Sequence, residues 1–154
     1  MSGDVREWAR LASLLRRTVT GPMWHGPSLA ELLEEVSAGQ AVAHPVPGAH
    51  SIAELVLHIA AWAEIARHRL AGTPPQVTTA MDWPPADGMD AGGWRAARAR
   101  MHDAYESLAD EVERLGDRSP DEQVAGGEQT LHFLLHGVVE HGTYHAGQIA
   151  ILRK

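Results

Sequence analysis

Trp94, Arg98, Met101, Tyr105, Leu108, Val112 and Leu115 recur at alternating steps of four and three residues, the spacing of one stripe along an α-helix. A strand would scatter the same residues over both of its faces. The run is stopped by Gly116, so a long amphipathic helix accounts for it. Other stretches repeat the period. Val5, Trp8, Ala12, Leu15 and Val19 predict a first helix over about residues 3–20, interrupted by Thr20-Gly21-Pro22. Ser51 and Glu54 have capping-box spacing at the head of "HSIAELVLHIAAWAEIARHRLAG", which Gly72, Pro74 and Pro75 close. A last helical run spans Glu128 to Arg153, after Gly126 and Gly127.

The intervals are shorter or irregular. Ser28 and Glu31 make another capping box before Leu29, Leu32, Leu33 and Val36, which predicts one short helical piece followed by Gly39. "SPDEQ", at 119–123, offers a further box with Pro120 at the first helical position. Residues 73–90 hold several breakers and no sustained period, so they read as a connection long enough to cross a bundle. Nothing alternates as a strand would. The expected fold is therefore all-α: a four-helix bundle with a long crossover between its second and third long helices, in a single domain over residues 1–154.

Composition narrows the function. Thirteen basic residues face 20 acidic ones, a net charge of -7 that argues against nucleic acid as a partner. There is no cysteine, which excludes disulfides, thiolate ligands and a cysteine nucleophile. Any thiol in its chemistry comes from outside. No apolar block resembles a signal peptide or a membrane span, so a cytoplasmic protein with no membrane partner is expected.

Ten histidines remain to be explained. His141 and His145 are four residues apart, and on a helical wheel they share an arc with Leu134, Val138, Gln148 and Leu152, the seam a bundle would bury. His132 and His136 repeat the spacing but point nearly the opposite way, among Val139, Thr143 and Ala150, toward a loop, another helix or a subunit partner. Two imidazoles on one buried stripe are difficult to satisfy unless a cation organises them. His58 is the natural third ligand, because its own face carries Ser51, Leu55, Trp62 and Ile65. Three neutral imidazoles without a thiolate suit zinc, nickel or another late first-row divalent ion and leave a coordination position open. Histidines satisfied within the core are the competing reading.

"HSIAELVLHIAAWAE" and "HGVVEHGTYHAGQIAILRK" resemble the two signature regions of the DinB/YfiT-like family, and "MWHGPSLAELL" resembles a segment common in one branch of it. The likeness extends over nearly the whole chain. It implies an up-down-down-up four-helix bundle, usually a homodimer, with a divalent metal held by three histidines that match His58, His141 and His145. It also implies a metal-dependent hydrolase or a thiol S-transferase. In either case a small-molecule electrophile is the substrate, attacked by water or by a low-molecular-weight thiol. The alternative is a non-catalytic metal-binding module, structural or acting in a stress response. The damage-inducible origin of the family name suggests DNA binding, which the acidic balance opposes.

Lesser candidates surround the triad. His25 and His50 precede helix starts and are expected to be polar loop residues, with a position near the metal as the alternative. Glu54 has its capping box as a sufficient role, so no catalytic role is assigned to it. Glu140 and Tyr144 flank His141 and His145, and Gln148, one turn past His145, is expected either to bond the site or to be a buried amide between helices. Arg98 needs an anion if it points inward, and snorkelling to solvent otherwise. Core packing is expected to use most of the five tryptophans. The small residues Gly137, Gly142, Ala146, Gly147 and Ala150 permit a close neighbour, either a dimer partner or the first helix.

Overall fold

Helices make up all the regular structure of residues 3–154, the part of the chain that the computed structural model describes. Four are long: α1 (Gly3–Thr20), α4 (Ile52–Leu70), α6 (Ala91–Glu113) and α7 (Leu131–Leu152). Three are short: α2 (Leu29–Leu33), α3 (Ala38–Val42) and α5 (Thr79–Asp82). The starts follow from side chains that take up free backbone N–H groups. Ser28, Ser37 and Ser51 each close a complete capping box, with Glu31, Gln40 and Glu54 returning to the cap backbone. Thr78, Asp90 and Thr130 cap α5, α6 and α7.

Both α1 and α4 pack on both α6 and α7, so the four long helices form a ring around one apolar interior. Trp8, Leu15, Tyr105, Leu108, Leu135 and Ile149 are among its most completely buried side chains. Close approach of α7 depends on Gly142. A Cβ there would lie 2.5 Å from the Tyr105 hydroxyl and 2.9 Å from Thr18 Cγ2. That hydroxyl donates to the Val138 carbonyl at 3.1 Å, and burial pushes its pKa above the usual phenol range. Ion pairs on the rim set the register of neighbouring helices: Arg16 with Glu106, Asp110 and Glu113, Arg67 with Glu111, and Arg100 with Glu64. No helix among the described residues is long and apolar enough to cross a membrane.

Several sequence expectations need correction. The expected piece from Ser28 to Gly39 is two helices, because the chain breaks after Leu33 and Ser37 starts a new capping box with Gln40. Gly39 lies inside α3 and does not end a helix. "SPDEQ" forms no helix. The carboxylate of Glu122 is taken by Arg118 at 2.6 Å, so it does not return to Ser119. The carbonyls of Pro120 and Glu122 instead accept from His132 N–H and Leu131 N–H, which makes this segment the lid on the first turn of α7. That turn begins at Leu131, three residues later than the start at Glu128 expected after the Gly126-Gly127 break. The connection 73–90 contains the single turn α5, whose position matters for the site.

A candidate metal centre on the cleft between α4 and α7

His58 stands in the second turn of α4 and is almost fully buried. His145 of α7 is equally buried, while His141, one turn earlier, is half-buried. Their Nε2 atoms converge: His141 Nε2 lies 2.9 Å from His58 Nε2 and 3.1 Å from His145 Nε2. Two nitrogens bound tetrahedrally to one zinc at about 2.0–2.1 Å would be about 3.3 Å apart, so the observed spacing is close to that of a ligand set. The triad expected from the sequence is thus brought together, with donors that could hold a metal ion.

The other ring nitrogens indicate where the protons are. His58 Nδ1 lies 2.6 Å from the Asp82 carbonyl and 3.2 Å from the Asp82 carboxylate, both acceptors, so it is the donor. His145 Nδ1 lies 2.6 Å from Gln148 Oε1 and donates in the same way. With protons on Nδ1, the Nε2 atoms of these two rings present bare lone pairs to each other and to His141. At most one proton, on His141 Nε2, is available among three converging nitrogens, whereas a cation would satisfy all three. Nδ1 of His141 is buried and has no hydrogen-bond partner.

Electrostatics favours the neutral form of the two α7 rings, the form a ligand requires. Burial, then the neighbouring His145 and His58, pull the His141 pKa down to about 3, with Asp82 opposing. Burial also lowers His145, with Gln148 opposing. Stacking fixes the plane of His58: Trp83 lies flat on it at 3.8 Å between ring centres, and His50 lies on the other face of Trp83 at 3.5 Å. Trp62 meets His58 edge-on and donates its indole N–H to the Asp82 carboxylate at 2.7 Å. A hydrogen bond and a stacked ring therefore hold His58 in one orientation.

The three nitrogens face a cleft of about 570 Å³. Phe133, Leu134, Val138 and Trp62 make its walls apolar, and Arg69, Gln129 and Tyr144 supply polar groups. Arg69 lies over the Trp62 ring at 5.7 Å. A small organic molecule is the size of occupant such a volume suits.

Other candidates fall into place around this centre. His50 reaches it through Trp83, whereas His25 is exposed in the loop before α2 and lines no part of the cleft. Glu54 is occupied: it closes the α4 capping box and lies 3.2 Å from His44 and 3.4 Å from His50. Burial pushes its pKa up, but the Ser51 N–H and the two imidazoles outweigh that and leave it below the usual carboxylate range. Arg98 has no anion. Its guanidinium lies over Trp94 at 5.6 Å and donates to the Leu33 carbonyl at 3.3 Å, with Nε buried and unpartnered. Among the small residues of α7, Gly142 faces α1 and α6, while Gly137 and Gly147 face open space. The arc shared by His141 and His145 is not the only one α7 buries. Leu131, Leu135, Val139, Ala146 and Ile149 on the other side are buried as well. Trp8 and Trp94 are core residues, but Trp62 and Trp83 are partly buried beside His58 and Trp24 is fully exposed, so fewer tryptophans serve the core than expected.

Asp82 and Trp83 were not legible as site residues. They lie 24 and 25 positions after His58 in a stretch read as a connection, and only the turn of α5 carries them back over α4.

A helical fold with three imidazoles gathered on a cleft is one whose donors could hold a divalent metal. The model of the DinB superfamily matches residues 24–149, and the chain belongs to that superfamily. No curated protein and no solved structure matches it.

Proposed function

We propose that His58, His141 and His145 hold a divalent cation, zinc or nickel, and that this centre serves a metal-dependent enzyme. The reaction is attack of a low-molecular-weight thiol or of water on a small electrophile, that is, S-transfer or hydrolysis. One observation carries this reading: three Nε2 lone pairs converge at the foot of an open cleft while two of the outer nitrogens are committed to Asp82 and Gln148.

The donor set fits such an ion. Three neutral nitrogen ligands leave a position free in a tetrahedral shell, as catalytic sites do, and no thiolate exists to close it. A bound divalent cation would supply Lewis acidity that lowers the pKa of a thiol or a water. The chain's own groups do the rest. Asp82 and Gln148 keep the ligand nitrogens unprotonated. Trp62, Phe133 and Val138 exclude water from an apolar substrate, and Tyr144 and Arg69 stand on the same cleft as donors to it. A purely structural metal would be enclosed by protein atoms, and the cleft supports the catalytic reading over the non-catalytic module.

The bundle order up, down, down, up belongs to the same proposal. Pairing of Glu64 with Arg100 and Arg67 with Glu111 supports parallel α4 and α6, and Trp8 N–H on the Arg118 carbonyl supports antiparallel α1 and α6.

The test combines metal analysis with turnover. Purified protein is expected to carry a late first-row metal, and the loaded form to consume a model electrophile with one of a panel of small thiols or with water. Metal content unchanged by His145→Ala would remove the triad. Stoichiometric metal without turnover on any ester, amide, epoxide or halide, with or without thiol, would leave the non-catalytic module.

A further inference from the structure

The second histidine pair of α7 also meets a partner. His132 and His136 lie with ring centres 4.2 Å apart, tilted by 38°, on the side of the helix that faces α1. Glu7 of α1 is beside them, with its Oε1 3.6 Å from His136 Nε2. One donor atom from each of the three residues falls within 4.8 Å of the others. His136 Nε2 is buried and has no hydrogen-bond partner. Its distance to Glu7 is long for a hydrogen bond but near the about 3.3 Å that two ligand atoms keep around a tetrahedral zinc.

We propose that Glu7, His132 and His136 form a second divalent-cation site, separate from the triad, which ties the first half of α1 to the first turns of α7. Two imidazoles and one carboxylate are a donor set for zinc or a neighbouring late first-row ion. Magnesium and calcium prefer oxygen throughout. The i, i+4 spacing lets both rings reach one ion from the same helix face, and Glu7 supplies the cross-link and half of the compensating charge. His132 is exposed, so solvent completes the shell. None of the three lines the cleft of the triad, so the effect of an ion here is one of holding helices together.

The test is built on the full chain carrying His145→Ala, so that the triad cannot account for uptake. Metal-free protein is titrated with Zn²⁺, and separately with Co²⁺, with bound metal measured by equilibrium dialysis and elemental analysis. One ion per chain and an upward shift of Tm with Zn²⁺ are expected. Adding His132→Ala or Glu7→Gln should abolish both, with the helical circular dichroism unchanged, since both side chains are at the surface. Absence of uptake by the His145→Ala protein overturns the site, as does uptake that survives both further substitutions. Stabilisation that requires Glu7 and acid but no metal identifies a protonated His136–Glu7 ion pair and overturns it as well. In the unsubstituted chain the two readings separate: uptake of a single ion, lost with His145→Ala, sinks this site and leaves the triad standing.

Discussion

Two histidine pairs with identical spacing lie on one helix, and they differ in what surrounds them. His141 and His145 meet a third imidazole from α4, in rings braced by Asp82, Gln148 and Trp83 at the foot of a cleft. His132 and His136 meet a single carboxylate from α1 near the surface, and His136 Nε2 has no hydrogen-bond partner among the described residues. Spacing on one helix therefore brings two donors together but does not rank sites. The neighbouring helix decides how many donors complete the set, and burial and bracing decide how firmly they are held.

The sharpest way to break this contrast is to remove one inner imidazole. His145→Ala is expected to abolish metal binding at the triad while leaving a folded helical protein, read by elemental analysis beside circular dichroism. Next in size is a change on the opposite side of the same turn. Gly142→Val should destabilise by about 1–3 kcal/mol in urea unfolding, because its Cβ overlaps the buried Tyr105 hydroxyl, which has no space to retreat. Gln148→Leu takes the acceptor from His145 and should weaken metal affinity by about 10-fold or more, measured by competition with a chelator.

A pH series sharpens the contrast in the metal-free protein. The pKa of His141 falls from 6.5 to about 3 on folding, so between these values the unfolded chain binds the additional proton. Stability from this group is therefore complete above the unfolded value and is lost as pH falls toward the folded one. Tm should drop between about pH 7 and pH 5, and His141→Asn should flatten that drop. The smallest effect belongs to the outer pair: without metal, Glu7→Gln should change stability by under about 1 kcal/mol, because a partly exposed Glu7–His136 contact at 3.6 Å gains little.

Legibility followed the range of the interaction concerned. The α4 start was readable because a capping box joins residues three apart, and Ser51 with Glu54 forms one. The same local signal failed at Ser119, where Glu122 was already engaged by Arg118 and the backbone was needed to close α7. The facing of His141 and His145 came from helical geometry, and their joining to His58 came from resemblance to the DinB family together with its apolar face. Nothing local points to Asp82 or Trp83, whose role depends on where a connection of nearly twenty residues lands.

Taken alone, the sequence determined the helical class, the positions of the four long helices to within a few residues, and the shared face of His141 and His145. These rest on periodicity and capping, which act over a single turn and are written in consecutive residues. Tertiary structure alone decided which nitrogens carry protons, which indole holds the His58 ring, how wide the cleft opens, and that Glu7 stands beside the outer pair. Each of those depends on contacts between segments far apart in the chain, where a few ångströms decide whether two groups meet.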